Sequence, residues 1–253
     1  MSGIIDRLLR EIRLAGTVSD VRVGVHWTAV VAETAAGPRA GLAATVTEGA
    51  RSGLSPTRGH GAPSVGAAGK LLGKPAAELA GLARSDSPVE RSIGFAALNA
   101  LLEVSEPGTD RNAEDVIVER GSGKRVAIVG HFPFVDRIRE VAAACWVLEL
   151  NPAEDDLPAA RAAEIIPRAD VVAITGMTLV NETFEELARL PSRDAFVMVL
   201  GPSTPLSPVL YEYGVDALSG TMVVDIPLVL AAVSQGATFR QIAGRRLVTM
   251  LRR

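Results

Sequence analysis

His131 is the side chain best placed for chemistry in this 253-residue sequence. It follows the apolar run Val126–Val129 and a glycine, Gly130, so it stands where a buried strand gives way to a loop. An imidazole there serves as an acid, a base or a metal ligand; equally, it serves as a polar residue bonded to loop backbone. Glu149 follows Gly130 by 19 residues and closes a second apolar run, Trp146–Leu148. Dinucleotide-binding folds place a ribose-binding carboxylate roughly 20 residues on. The G-x-G-x-x-G pattern is absent, however. Phe132 and Pro133 stand where backbone would have to approach a pyrophosphate: a phenyl ring blocks the approach and a proline has no N–H to offer. Bound NAD is disfavoured on that ground, and Phe132 either stacks on a planar ligand or fills the core. His131 and Glu149 are the candidate catalytic acid and base.

Three more stretches end apolar runs in the same way. Thr175, Gly176, Thr178 and Asn181 form a polar cluster after Val171–Ile174, or Asn181 simply caps the helix that begins at Glu182. Gly201, Ser203 and Thr204 follow Phe196–Leu200. Thr204 before Pro205 reads as the cap of the next helix, or its hydroxyl and those of its neighbours hold an anionic group at a helix start. Ser219-Gly220-Thr221 follows Asp216–Leu218. Asn99 is set apart, an amide inside the apolar stretch Ile93–Leu102. A buried amide needs partners, so it either ties a loop carbonyl or reaches into a cleft. The candidate ligand-binding set is Gly130, Phe132, Thr175, Gly176, Thr178, Asn181, Gly201, Ser203, Thr204 and Asn99. Asp225, before Ile226-Pro227, reads as a helix cap.

A protein-only metal site has no motif here. The three histidines, His26, His60 and His131, and the one cysteine, Cys145, are far apart, without C-x-x-C or H-E-x-x-H spacing. The metal ligands are unknown; a metal ion would need ligands from several loops, with Glu149 one candidate, or would arrive as a metal–chelator complex. No G-x-S-x-G occurs, so no nucleophilic triad is argued. Cys145 opens an apolar strand and reads as core, and a lone cysteine excludes an intrachain disulfide.

These residues require particular elements. In the second half, apolar strands at 126–129, 146–148, 171–174, 196–200 and 216–218 alternate with helices, which predicts a parallel sheet covered on both faces. In open sheets of that kind, ligands lie beyond the carboxyl ends of the strands. The first half differs. Ile4, Ile5, Leu8, Leu9 and Ile12 give an amphipathic helix within Met1 to Gly16, Val21–Val31 and Gly41–Thr47 give antiparallel strands about a Gly37-Pro38 turn, and Ser52–Gly69 is a Gly/Ser/Pro-rich loop and candidate lid. A helix follows Pro75, and a stronger one starts at Ser87-Pro88-Val89-Glu90 with a capping box and runs to Glu103. Ser105–Asn112 separates the halves, before a short linking helix over Ala113–Glu119. Arg245-Arg246 and Arg252-Arg253 read as the solvated face and end of a last helix. The expected fold is α/β, a small α+β domain over residues 1–110 and a parallel-sheet domain over 111–253.

Apolar residues make up 48% of the chain, enough for a sizeable core, and the formal charge is -3. That balance gives no electrostatic reason for a nucleic-acid partner. The charged first helix is not a signal peptide and no apolar run is long enough for a membrane span, so the expectation is a cytoplasmic protein with a small-molecule ligand. A homodimer is left open.

Four segments in this order, Ser92-Ile-Gly-Phe-Ala-Ala-Leu-Asn99-Ala100, Val129-Gly130-His-Phe-Pro133, Thr175-Gly-Met-Thr-Leu-Val-Asn181 and Gly201-Pro-Ser-Thr-Pro205, resemble the heavy-metal chelation domain family. The resemblance spans about residues 90–225 and implies an enolase N-terminal-like domain joined to a Rossmann-like domain. It also implies a pocket between them, lined by these loops. A role in heavy-metal chelation follows from the family, and handling or modifying a chelator suits the residues better than direct chelation.

Overall fold

The computed structural model describes residues 3–47, 65–104 and 108–252. In chain order the elements are α1 (Ile4–Arg10), β1 (Gly16–Val23), β2 (Trp27–Thr34), β3 (Gly37–Ala44), α2 (Ala76–Ala80), α3 (Pro88–Leu101), α4 (Ala113–Gly121), β4 (Arg125–Val129), α5 (Val135–Val141), β5 (Ala144–Glu149), β6 (Leu157–Pro158), α6 (Ala162–Ile165), β7 (Val171–Thr175), α7 (Met177–Val180), α8 (Phe184–Leu187), β8 (Phe196–Leu200), β9 (Ala217–Val223), α9 (Ile226–Ser234) and β10 (Arg245–Leu251).

Strands β1, β2 and β3 form an antiparallel meander, and β10-β9-β8-β7-β4-β5-β6 form a seven-stranded sheet. All neighbours in the larger sheet are parallel except β10 with β9. Counted from β4, the order is that of doubly wound dinucleotide-binding sheets, with one antiparallel strand added at an edge. The switch point falls between β4 and β7, where successive connections leave in opposite directions.

The apolar runs are buried on both faces of this sheet. One face, with Ile128, Val147 and Ala173, packs on Val116 and Ile117 of α4 and Ile138 of α5. The other, with Ala127, Ile174 and Val199, joins a cluster that includes Phe95, Leu98 and Leu101 of α3 and Val30 and Ala43 of the meander. Helix α3 therefore lies between the two sheets. On the far side of the meander, Ala29 and Leu42 pack against Val229 and Val233 of α9. The layers interlock, because a helix from the second half covers a sheet from the first.

Chemistry at each position accounts for α3. Ser87 caps it, accepting from the Glu90 N–H, and Pro88 occupies the first turn. The reciprocal half of the expected capping box is missing: the Glu90 carboxylate takes the Gly66 N–H and the Ser85 hydroxyl instead. Gly94 is required by contact, since a Cβ there would lie 2.0 Å from Ala83 N. Ser92 Oγ accepts from Val46 N, and Asn99 Nδ2 donates to Leu42 O, so these two polar residues of the helix moor it to the chain around β3.

Several expectations are corrected. Residues 245–251 are a strand and not a helix: Val248, Thr249 and Met250 are buried and pair with Gly220, Ser219 and Leu218. β-Branched residues with a partner strand available outweigh the basic residues at the ends. That pairing extends β9, so Ser219, Gly220 and Thr221 lie inside a strand and not in a loop. The run Val21–Val31 holds a tight turn at 24–26 between two strands, and Gly37-Pro38 opens β3. Helix α1 stops at Arg10 and α3 at Leu101. Thr204 starts no helix; the next helical turn, Pro208–Tyr213, is capped by Ser207. The proposed lid lies outside the described residues over 52–64, as does His60. Among the described residues, no helix is long and apolar enough to cross a membrane.

Candidate functional site

Parallel strands aim their loops at one edge of the sheet, and the meander leans over that edge. The loops after β4, β5, β7 and β8 meet there around a cavity of about 490 Å³. Gly130, His131, Phe132, Glu149, Thr175, Gly201 and Ser203 all line it, joined by Trp27, Met177, Phe239 and Arg240. A neighbouring cavity of about 270 Å³ shares Gly130, Glu149 and Thr175 and adds Thr178 and Asn181. A third, of about 250 Å³, shares Phe132, Gly201, Phe239 and Arg240 and reaches Arg245. The three form one trough along the carboxyl edge.

Two glycines make the loops possible. Gly130 and Gly201 sit at φ 99° and 112°, in the region where a Cβ is strained. Gly176 lines none of these cavities and serves packing: its Cβ would fall 2.5 Å from Thr204 Oγ1 and 2.7 Å from Thr204 N.

Hydrogen bonds sort the candidates. Glu149 Oε1 accepts from His131 N at 2.6 Å and Oε2 from Leu150 N at 3.0 Å. The carboxylate at the ribose-binding position is thus committed to holding the β4 loop. Thr178 Oγ1 donates to Thr175 O, and Asn181 Oδ1 accepts from the N–H and hydroxyl of Thr183, so both shape the loop that they line. Ser203 Oγ accepts from Ala44 N across the sheets at 2.8 Å and keeps its own proton to donate. Asn99 and Thr204 line a separate pocket of about 240 Å³ with Arg39 and Thr221. The trough therefore does not gather Asn99 or Thr204.

His131 has a partner that its sequence neighbourhood does not announce. Its Nδ1 lies 3.1 Å from Oδ2 of Asp156, whose side chain is 2% exposed against 49% for the imidazole. Asp156 also accepts from Ala153 N, and Arg139 stands 3.8 Å away. A carboxylate only accepts, so Nδ1 carries the proton, and in the neutral form of the imidazole Nε2 keeps its lone pair. This is the arrangement that makes an imidazole an oriented base. Sequence reasoning missed Asp156, Trp27, Phe239 and Arg240. Asp156 lies 25 residues beyond His131 in a polar run, Asn151–Asp156, that gave no signal.

A heavy-metal ion does not fit this donor set. Among the described residues no three of His, Cys, Asp and Glu are grouped to hold a metal. Burial pushes the Cys145 thiol up to about 11, away from the thiolate that soft metals need. Glu149 and Asp156 are engaged by backbone and imidazole.

Fold and trough define a two-sheet α/β protein with a doubly wound larger sheet and its loops gathered under an antiparallel meander. The chain belongs to the family described as "Putative heavy-metal chelation": profiles of its two parts match residues 5–102 (DUF4213) and 112–252 (DUF364). It is similar to a crystal structure of a DUF364 protein of unknown function from Desulfitobacterium hafniense, 29% identical, with a TM-score of 0.77 over 98% of this chain and 97% of the other. A second, from Pyrococcus horikoshii, is 22% identical with a TM-score of 0.78 over 98% of each chain and shares the fold. An uncharacterized protein of Methanocaldococcus jannaschii is 26% identical over 157 residues, which span 59% of this chain and 61% of that relative's own length.

Proposed function

We propose that the protein binds and handles a small anionic or metal-chelating compound in the trough at the carboxyl edge of the larger sheet. The observation that carries this is the 490 Å³ cavity with Arg240 on its wall, exposed and without an ion pair among the described residues. A free cation beside hydroxyls and a mostly apolar wall suits an anion larger than water. With no group of metal ligands among the described residues, metal enters the reading as cargo already held by a chelator. The meander-plus-helix composition of residues 1–110 is what an enolase N-terminal-like domain would have, and residues 111–253 would then be the Rossmann-like partner.

Native mass spectrometry of freshly purified protein, with elemental analysis of the same sample, tests this together with thermal-shift titration. The titrants are citrate and nitrilotriacetate, each free and as its Fe(III) complex, alongside pyridine-2,6-dicarboxylate. A co-purifying organic mass or a saturable rise in Tm is expected. A bare apo mass with no shift for any of these compounds sinks the proposal.

The His131–Asp156 pair supports a second reading, an enzyme that makes or modifies such a compound. His131 is its acid or base, and Glu149 fixes the loop or takes part in proton transfer. If His131→Ala keeps binding of a compound found bound but stops its turnover, this reading stands; if the bound compound is returned unchanged under all conditions, it falls.

A further inference from the structure

We propose that the ligand of the trough is a flat aromatic ring carrying an anionic group, rather than an aliphatic acid; this rests on the binding reading above and narrows it. The chain has few rings: six phenylalanines, two tyrosines and two tryptophans. Four of them gather here. Trp27, Phe132 and Phe239 line the 490 Å³ cavity, and Phe134 stacks behind Phe132 at 5.1 Å with the planes 13° apart.

They come from separate parts of the fold. Trp27 opens β2, Phe132 follows β4, and Phe239 lies in a helical turn after α9. Trp27 and Phe239 meet at 5.4 Å in a tilted pair. Each packs on the margin of a buried cluster, Trp27 and Phe239 beside Val229 and Val233 and Phe132 beside the α4–α5 cluster, and none is fully covered. Phe95 and Phe184 are core rings, 0% and 1% exposed, whereas Trp27, Phe132 and Phe239 are half-buried at a cavity wall. Keeping large apolar rings partly wet is unfavourable unless something covers them.

Both pairs are braced from behind. Phe134 backs Phe132, and the Arg245 guanidinium lies 4.4 Å over the Phe239 ring. Stacked and edge-on ring contacts favour a planar partner over a flexible chain of equal area. Polar groups sit at particular points: Nε1 of Trp27 is enclosed without a hydrogen-bond partner, and Arg240 is exposed on the same wall. A carboxylate or phosphate on the ring answers Arg240, whereas the enclosed Nε1 faces away from any ligand in the cavity. The volume accommodates one bicyclic ring system with a side group.

The experiment uses the full chain with Trp146→Phe, which leaves Trp27 as the fluorophore, and reads its quenching alongside calorimetry. The probes are pyridine-2,6-dicarboxylate and AMP, which separate a ring carboxylate from a ring bearing a phosphate arm, and citrate and nitrilotriacetate as aliphatic acids. Saturable quenching by either aromatic probe is expected, with the aliphatic acids at least tenfold weaker. Phe132→Leu keeps apolar volume but removes the ring face, and should weaken aromatic binding about tenfold, while Phe132→Tyr should not. Circular dichroism confirms that each variant is folded. If citrate or nitrilotriacetate binds as tightly as the aromatic probes, and Phe132→Leu changes neither, the aromatic inference is overturned and the anion-binding reading survives. If no probe binds, both are overturned.

Discussion

The two edges of the seven-stranded sheet are built from the same strands and treat their polar groups in opposite ways. At the amino edge, Asp170 accepts from the backbone N–H, Nε and Nη2 of Arg125 at 2.6–3.0 Å, and the Asp216 carboxylate accepts from Val197 N. Charges there are consumed in joining strands. At the carboxyl edge, among the described residues, Arg240 has no ion pair and the half-exposed His131 imidazole has a ring nitrogen, Nε2, without a hydrogen-bond partner. Backbone amides are still satisfied there, by Glu149 and Ser203, so the loops are held while their remaining groups stay available. Openness at this edge is therefore local to particular side chains and is not general looseness.

Substitutions at each edge test that contrast. The largest effect is expected from Gly176→Val, which places a side chain against Thr204 backbone and should cost about 3 kcal/mol, a fall in Tm of roughly 6–12 °C by calorimetry. An unchanged Tm would mean that the carboxyl-edge loops are not locked together. Cys145, near the start of β5, should behave as an amino-edge core group. With its thiol at about 11 against an ordinary 9.0, it should react with a disulfide reagent at pH 8 about 100-fold more slowly than a free thiol. Rapid labelling of the folded protein would contradict the reading of Cys145 as a core residue.

Asp156→Asn should change chemistry more than stability. A Tm loss under about 4 °C is expected, but the neutral imidazole should populate both tautomers where the native protein holds the proton on Nδ1. Long-range 15N–1H spectra of His131 read this directly, and a native spectrum already mixed would remove Asp156 from the site. The smallest effect is expected from Asp170→Asn, about 1 °C, because the pair is substantially solvent-exposed. Arg125 holds the Asp170 carboxyl down to about 2 from an ordinary 3.8. The pair's contribution is therefore complete above the higher value and lost as pH falls through the lower one. Urea midpoints of native and variant proteins should differ at pH 6 and converge near pH 2; a gap that persists in acid would contradict this origin.

Much of the larger sheet was legible because its strands are continuous apolar runs, a pattern that only double-sided burial produces. The loops that form the trough were legible for the same reason, since strand ends fix where they emerge. Asp156 was not, because a carboxylate in a polar run has no period, and only the path from β5 to β6 brings it to His131. The last strand was misread because Val248-Thr249-Met250 has no alternation to set against helical spacing, and what decides it is pairing with β9. The Asn99 amide does tie a carbonyl through Nδ2, though its Oδ1 has no partner among the described residues, and the sequence could not show that this carbonyl, Leu42 O, lies on β3, away from the trough.

The cover that α9 lays on the meander has a consequence for how the protein is made. Ala29 and Leu42 find their apolar partners in Val229, Val233 and Ile242, about 200 residues further along the chain. At ribosomal rates of 5–20 residues per second, β2 and β3 wait roughly 10–40 s for that cover. During this interval a nascent antiparallel ribbon carries a bare apolar face, which is a natural substrate for chaperones that hold unfinished chains. Completion of α9 then acts as the clasp that ends this exposure.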